Sequence, residues 1–289
     1  MSMAVFCDRT LRDGALPGTA RAPIRACMVS ARVVCALFCA LVFTATLPAS
    51  AAKRAPKPAP AQHAPGPVAR PTPFSSGPVA TTAPPGWVLQ TPPKVARQTF
   101  YDLVSDGGTI VLRARADGAA ATLRHGLFVD PKAMPTLRWR WRTERVLQGG
   151  DMTRKDRDDY AARVYVFFDR DENTLSLKDR TRLKLERARH GNRVPTAALC
   201  YVWDNRHPVD TILDSPAAPF TALVVASSGD AQAGRWQRLS RDVAEDYRRA
   251  FNTDPPRIIG VAVAVDTDDT GESATTWFGD IEFSAGAKQ

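Results

Sequence analysis

After residue 86 the hydrophobic pattern is mostly that of strands, and in its clearest stretches apolar and polar residues alternate one by one, the period of a strand with one face buried. The clearest case is LRWRWRT, 137–143. Leu137, Trp139 and Trp141 point one way; Arg138, Arg140 and Arg142 point the other. The run TIVLRARA, 109–116, sets Ile110, Leu112 and Ala114 against Val111, Arg113 and Arg115. AARVYVFFD (161–169) and AALCYVWD (197–204) are apolar on both faces, which predicts central strands. TALVVASS (221–228), RIIGVAVAV (257–265) and TTWFGDIEF (275–283) are predicted strands on their β-branched and aromatic content. The period becomes helical twice. LSLKDRTRLKLERARHG (175–191) ends on Gly191, and RDVAEDYRRAF (241–251) puts Val243, Tyr247 and Phe251 on one face before Pro255-Pro256 bars continuation. Many strands with two helical insertions predict a mainly β fold over 86–289, an antiparallel β-sandwich of jelly-roll type.

The alternation is missing before residue 86. In 53–85, ten of 33 residues are proline and few are large apolars, so the segment is expected to be a disordered spacer. In 1–52, Arg32 leads into an apolar run from Val33 to Leu47, followed by Ala49-Ser50-Ala51. That is the pattern of a secretory signal cut after Ala51, with Met28 as the expected true start. The apolar run is shorter than the roughly 20 residues of a membrane span, so no transmembrane segment is expected after cleavage. The expected location is periplasmic or secreted.

Export changes how charge and cysteine are read. Without residues 1–52 the chain keeps 34 basic and 28 acidic groups, net +6. An exported protein meets no genome, so nucleic acid is set aside, and a polysaccharide or anionic envelope polymer is the expected partner. Cys200 is the one cysteine beyond the signal, in ALCYVW, and is read as a small buried hydrophobe.

Five blocks, taken in order, carry a resemblance: LRWRWR, DDYAARVYVFFD, LCYVWD, GRWQRLSRDVAEDYRRAF and PPRIIGVAVAVDTDDTGESATTWFGDIEF. They resemble an uncharacterised bacterial exported family, domain of unknown function number three-zero-four-seven, across roughly 87–285. The resemblance implies an exported β-sandwich similar to carbohydrate-binding modules, with no established activity or catalytic residues. Where that family usually has Asn before the tyrosine of YVW, this chain has Cys200.

Candidate chemistry gathers in a few places. DTDDTGE, 266–272, is expected to join the last two strands; Asp266 and Asp268, with Glu272 or Asp280, could surround one structural calcium with hard oxygens. It is not an EF-hand, because position 12 is Trp277 and the flanks are strands. Asp158 and Asp159 precede a central strand carrying Arg163, a set able to hold a polar ligand or an ion pair. Arg138, Arg140 and Arg142, continued by Arg113, Arg115 and Arg163, would line one sheet face and recognise an anionic group. Trp203 and Trp236, placed near loops, are the candidate sugar-stacking rings. No nucleophile motif, metalloprotease motif or CxxC occurs, so no catalytic residue is assigned and no cofactor is required. The leading expectation is a non-enzymatic module binding a glycan or other envelope polymer. The alternatives are a carbohydrate-active hydrolase or lyase on the same fold, with Asp204, Asp266 and Asp269 as the acids, and a structural envelope protein that binds another protein.

Overall fold

The computed structural model describes residues 68–93, 95–190 and 194–286. The signal segment and the first part of the proline-rich stretch lie outside these residues. Two seven-stranded sheets face each other. In sheet one, β3 (Phe100–Asp106), β4 (Thr109–Asp117), β13 (Ser273–Phe278) and β6 (Thr136–Thr143) run side by side. Beyond them β14 (Glu282–Ser284) extends the β13 side of β6 and pairs with β1 (Val68–Ala69), while β11 (Gln237–Asp242) takes the other edge of β6. Sheet two runs β2 (Trp87–Gln90), β5 (Ala120–Val129), β12 (Ile258–Asp266), β7 (Tyr160–Phe168), β8 (Ala197–Asp204), β10 (Thr221–Ser228) and β9 (Ile212–Asp214). Pairing is antiparallel throughout, except that β8 and β10 are parallel. The two helices are α1 (Leu177–His190) and α2 (Val243–Phe251). None of the described helices is long and apolar enough to cross a membrane.

The period-2 rule builds the core. Leu137, Trp139 and Trp141 of β6 face inward and are at most 4 % exposed. They meet Tyr201 and Trp203 of β8 in the opposite sheet: Trp139 to Tyr201 at 5.2 Å, Trp141 to Trp203 at 5.9 Å. Such tilted pairs add about 1 kcal/mol each beyond the area they bury. Two of the indoles are satisfied locally, whereas Trp139 Nε1 is buried with no hydrogen-bond partner among the described residues. Trp141 Nε1 donates to Ser227 Oγ at 3.1 Å, and Trp203 Nε1 donates to the Gly229 carbonyl at 3.0 Å. Asp242 caps α2 by accepting from the Glu245 N–H at 2.9 Å, and Asn252 ends it in the left-handed region at φ 53°. The apolar stripe of α2 puts Val243 and Tyr247 into the core, with Tyr247 4.5 Å from Phe168.

The expected spacer does not reach residue 85. Val68–Ala69 pair with β14, Ala80 bridges Leu103, and Phe74 is fully buried 4.7 Å from Trp87. The Trp87 indole donates to the Thr72 carbonyl at 2.8 Å. Proline lacks an N–H and prefers extended backbone, so a proline-rich strip can lie along a sandwich edge without orphaning donors. Phe74, diluted in the composition of the whole segment, is its fully buried anchor, alongside these backbone ties.

Candidate functional site

On sheet two the outward positions of β12 are Gly260, Ala262 and Ala264, while its inward positions are Val261, Val263 and Val265. Small outward residues on a central strand leave a trough between the larger ones on its neighbours. On one side stand Thr122 and Arg124 of β5; on the other stand Arg163, Tyr165 and Phe167 of β7. Gly260 has no room for a side chain, since a Cβ there would lie 3.0 Å from the His125 carbonyl oxygen. One end of this face is roofed by the 144–159 loop, whose Met152 is buried with Tyr160, Cys200, Val202, Leu223 and Val225. The other end is an open groove of about 500 Å³. Gln90, Thr122, Tyr165, Phe167, Pro195 and Pro219 are among its lining residues.

Tyr165 and Phe167 are half-buried, with rings parallel to within 4° and centroids 5.8 Å apart. The Arg124 guanidinium sits 4.4 Å from the Phe167 centroid, and burial lowers its pKa. The groove thus offers aromatic surface bordered by the polar side chains of Gln90, Thr122 and Thr221. This is the make-up of a small-molecule or saccharide site: apolar lining with a few polar groups to orient a ligand.

Between the groove and the roofed end lies a buried ion cluster. Arg163, 3 % exposed, holds Asp266 with both prongs, at 2.8 Å from Nε and 2.7 Å from Nη2. It also reaches Asp158 Oδ2 at 3.3 Å, donates to the Asp158 carbonyl, and donates to the Tyr165 hydroxyl at 3.0 Å. The Tyr160 ring covers the guanidinium at 4.4 Å. Burial pushes the Asp266 carboxyl up to about 7 against the pull of Arg163. Asp158 is raised in the same way. For Arg163 burial works against the charge, but Asp266, Tyr165 and Asp158 outweigh it and hold the pKa well above its ordinary value. Burial raises Tyr165, and it pushes the Cys200 thiol up to about 12, so that cysteine is a packed hydrophobe.

The sequence-predicted residues divide accordingly. Asp158, Asp159 and Arg163 do come together, joined by Asp266, but as a buried network beside the groove. Asp159 accepts from the Thr270 N–H at 2.7 Å and so anchors the 266–272 stretch, which does connect β12 to β13, with Gly271 at φ +70°. The four acids expected around a calcium are not brought together. Asp266 is held by Arg163; Glu272 accepts from the N–H groups of Gly149 (2.7 Å) and Gln148 (3.2 Å); Asp280 accepts from Ser75 N at 3.0 Å. Among the described residues no three His, Cys, Asp or Glu side chains are placed to hold a metal ion. Asp268 remains exposed, its pKa raised by burial and by Asp159. Trp203 is not a stacking platform: it is 1 % exposed in the inter-sheet core. Asp204 caps its own loop, accepting from the N–H groups of Arg206 (2.9 Å) and His207 (2.6 Å), and does not join Asp266.

Arg138, Arg140 and Arg142 do share the outer face of sheet one, and β13 carries the row on to Arg113 through Trp277. Arg163 is not part of that row, because it lies on sheet two. Trp236 is half-buried over this face; its indole donates to Asp106 at 2.7 Å, and Arg140 and Arg142 stand 4.5 and 5.3 Å from its ring.

No curated protein matches this chain. Among solved structures it is similar to the xyloglucanase domain of NopAA, a type three effector from Sinorhizobium fredii in complex with cellobiose. The identity is 7 %, over 73 % of this chain and 99 % of that one, with a TM-score of 0.37, which carries no argument about function. A family model described as "Protein of unknown function (DUF3047)" matches residues 85–282, and the chain belongs to that family.

Proposed function

We propose that this protein is an exported, non-enzymatic module that binds a glycan or similar envelope polymer in the groove on sheet two. The observation that carries the reading is the parallel Tyr165–Phe167 pair lining an open groove of about 500 Å³, together with Gln90, Thr122 and Thr221. Sugar rings present C–H faces that stack on aromatic rings and hydroxyls that need such polar neighbours. Export is supported by the signal-like segment at 28–52. A hydrolase needs two carboxylates facing its substrate. Asp204 and Asp266 are instead bonded to the protein's own groups, which favours binding over hydrolysis.

The test is retention of the full chain on a panel of immobilised neutral and acidic polysaccharides, compared with Y165A/F167A. Retention on at least one polymer, lost in the double variant while the fold is kept, is the expected result. Equal retention of both proteins, or release of reducing ends from the polymer, would overturn the reading.

A further inference from the structure

We propose a second binding site, for a single oxyanion-bearing group, in the cleft on the outer face of sheet one where β6, β11 and β14 meet. It is independent of the groove, which lies on the other sheet. The cleft encloses about 360 Å³, and Arg138, Arg140 and Arg238 line it.

Six arginines stand on this face, and they fall into two sets. Arg113 and Arg115 share Asp102 at 2.6 and 3.5 Å, and Arg142 pairs with Asp106 at 3.1 Å. The other three, among the described residues, have no carboxylate within 4.0 Å, and they are the three that line the cleft. Arg140 and Arg238 occupy directly opposed positions across the β6–β11 pair. Like charges so placed repel, and among the described residues neither guanidinium is ion-paired. Arg140 is also given its place by the backbone. Its side chain passes over Gly279, where a Cβ would come within 2.5 Å of Arg140 Cγ. Its guanidinium rests 4.5 Å from the Trp236 centroid. Arg138 turns to the Ser284 hydroxyl at 2.6 Å instead of to Glu282, its cross-strand neighbour.

Two acids share the cleft. Asp280 is bonded to the N–H and hydroxyl of Ser75, at 3.0 and 2.5 Å. Among the described residues Glu282 has no partner, so three guanidiniums face one uncommitted carboxylate. A planar fork matches a carboxylate, sulfate or phosphate with two hydrogen bonds, and an anion between Arg140 and Arg238 turns their repulsion into attraction. The volume admits one such group on a sugar-sized body.

The experiment titrates the full chain at low salt with glucuronate and with glucose 6-phosphate, each beside neutral glucose, and follows tryptophan indole and arginine Nε–H resonances. A saturable shift at Trp236 and Arg140 with at least one acid, absent with glucose, is expected; which acid responds separates a carboxylate source from a phosphate source. R238Q should weaken the interaction about tenfold, the worth of one charge-assisted hydrogen bond. E282Q should tighten it, and Y165A/F167A should leave it unchanged. The proposal is overturned by no saturable shift with either acid, by an equal shift with glucose, by an unchanged affinity in R238Q, by weakening in E282Q, or by loss in the groove variant.

Discussion

The outer faces of the two sheets obey the same alternation and end as opposite surfaces. On sheet two the outward positions of the central strand are Gly260, Ala262 and Ala264, so neighbouring side chains lean over a trough and Arg163 is sealed beneath Tyr160. On sheet one the outward positions of β6 are three arginines flanked by half-exposed Trp236 and Trp277, so charge remains at the solvent boundary. What alternation assigns is the side of the sheet. Whether that side becomes a groove, a sealed cluster or a charged plate depends on the size of the residues next door. The contrast also sets the electrostatics, because an arginine 3 % exposed and one with a side chain 30 % exposed work in very different surroundings.

The largest expected effect breaks that contrast at its sealed side. Arg163→Met strands two buried carboxylates, Asp158 and Asp266, and should cost about 3–5 kcal/mol of unfolding free energy. Arg113→Gln on sheet one should cost less, about 1–2 kcal/mol, because its own side chain is 30 % exposed and the buried Asp102 keeps Arg115 at 3.5 Å. Urea unfolding of both variants decides the matter; equal losses would mean the two arginines are not differently placed. Next in size is Ala262→Leu, which fills the trough between Arg124 and Tyr165. It should cost about 1–3 kcal/mol by overpacking and remove polymer retention, while the oxyanion response on sheet one persists. A variant that folds and still binds in the groove would detach the trough from function.

A dependence on pH probes the sealed cluster without a mutation. The folded-state pKa of Asp266 is about 7, against an ordinary 3.8. The folded form therefore binds the proton more tightly. Its contribution is fully present below about pH 4 and is lost as the pH rises through 7. Asp158, Asp268 and Asp269 are raised too and act in the same direction. The thermal midpoint should fall between pH 4 and 7, and fall less in Asp269→Asn, which removes one member of the acidic group. A midpoint that climbs across this window would show that Arg163 keeps Asp266 ionised throughout.

Much of the architecture was legible. LRWRWRT assigned Trp139 and Trp141 to the core and its arginines to the surface, because a one-sided strand carries its orientation in its own sequence. RDVAEDYRRAF likewise gave α2 its buried stripe. The groove was not recognised, although a trace of it was present. In RIIGVAVAV the outward set is Gly-Ala-Ala and the inward set Val-Val-Val, a small–large alternation hidden when every apolar residue counts alike. Tyr165 and Phe167 sit in VYVFF, which reads as a strand buried on both faces until its neighbour is known to be small. Trp203 was misplaced for the converse reason. Its nearness to a loop in sequence says nothing about the facing sheet, where Trp141 waits. The acids expected around a calcium lie apart because residues close in sequence bond donors remote from it, Asp266 with Arg163 and Glu272 with the Gly149 N–H.

Phe74 has a mechanical meaning. A pull on the domain through its N-terminal segment enters at β1, a two-residue strand, and then meets Phe74, an aromatic plug seated against Trp87. Such an edge peels residue by residue, and the long sheet ladders behind it bear no load until the plug is drawn. The attachment behaves as a buckle: it can open under tension while the outer faces of both sheets keep their shape.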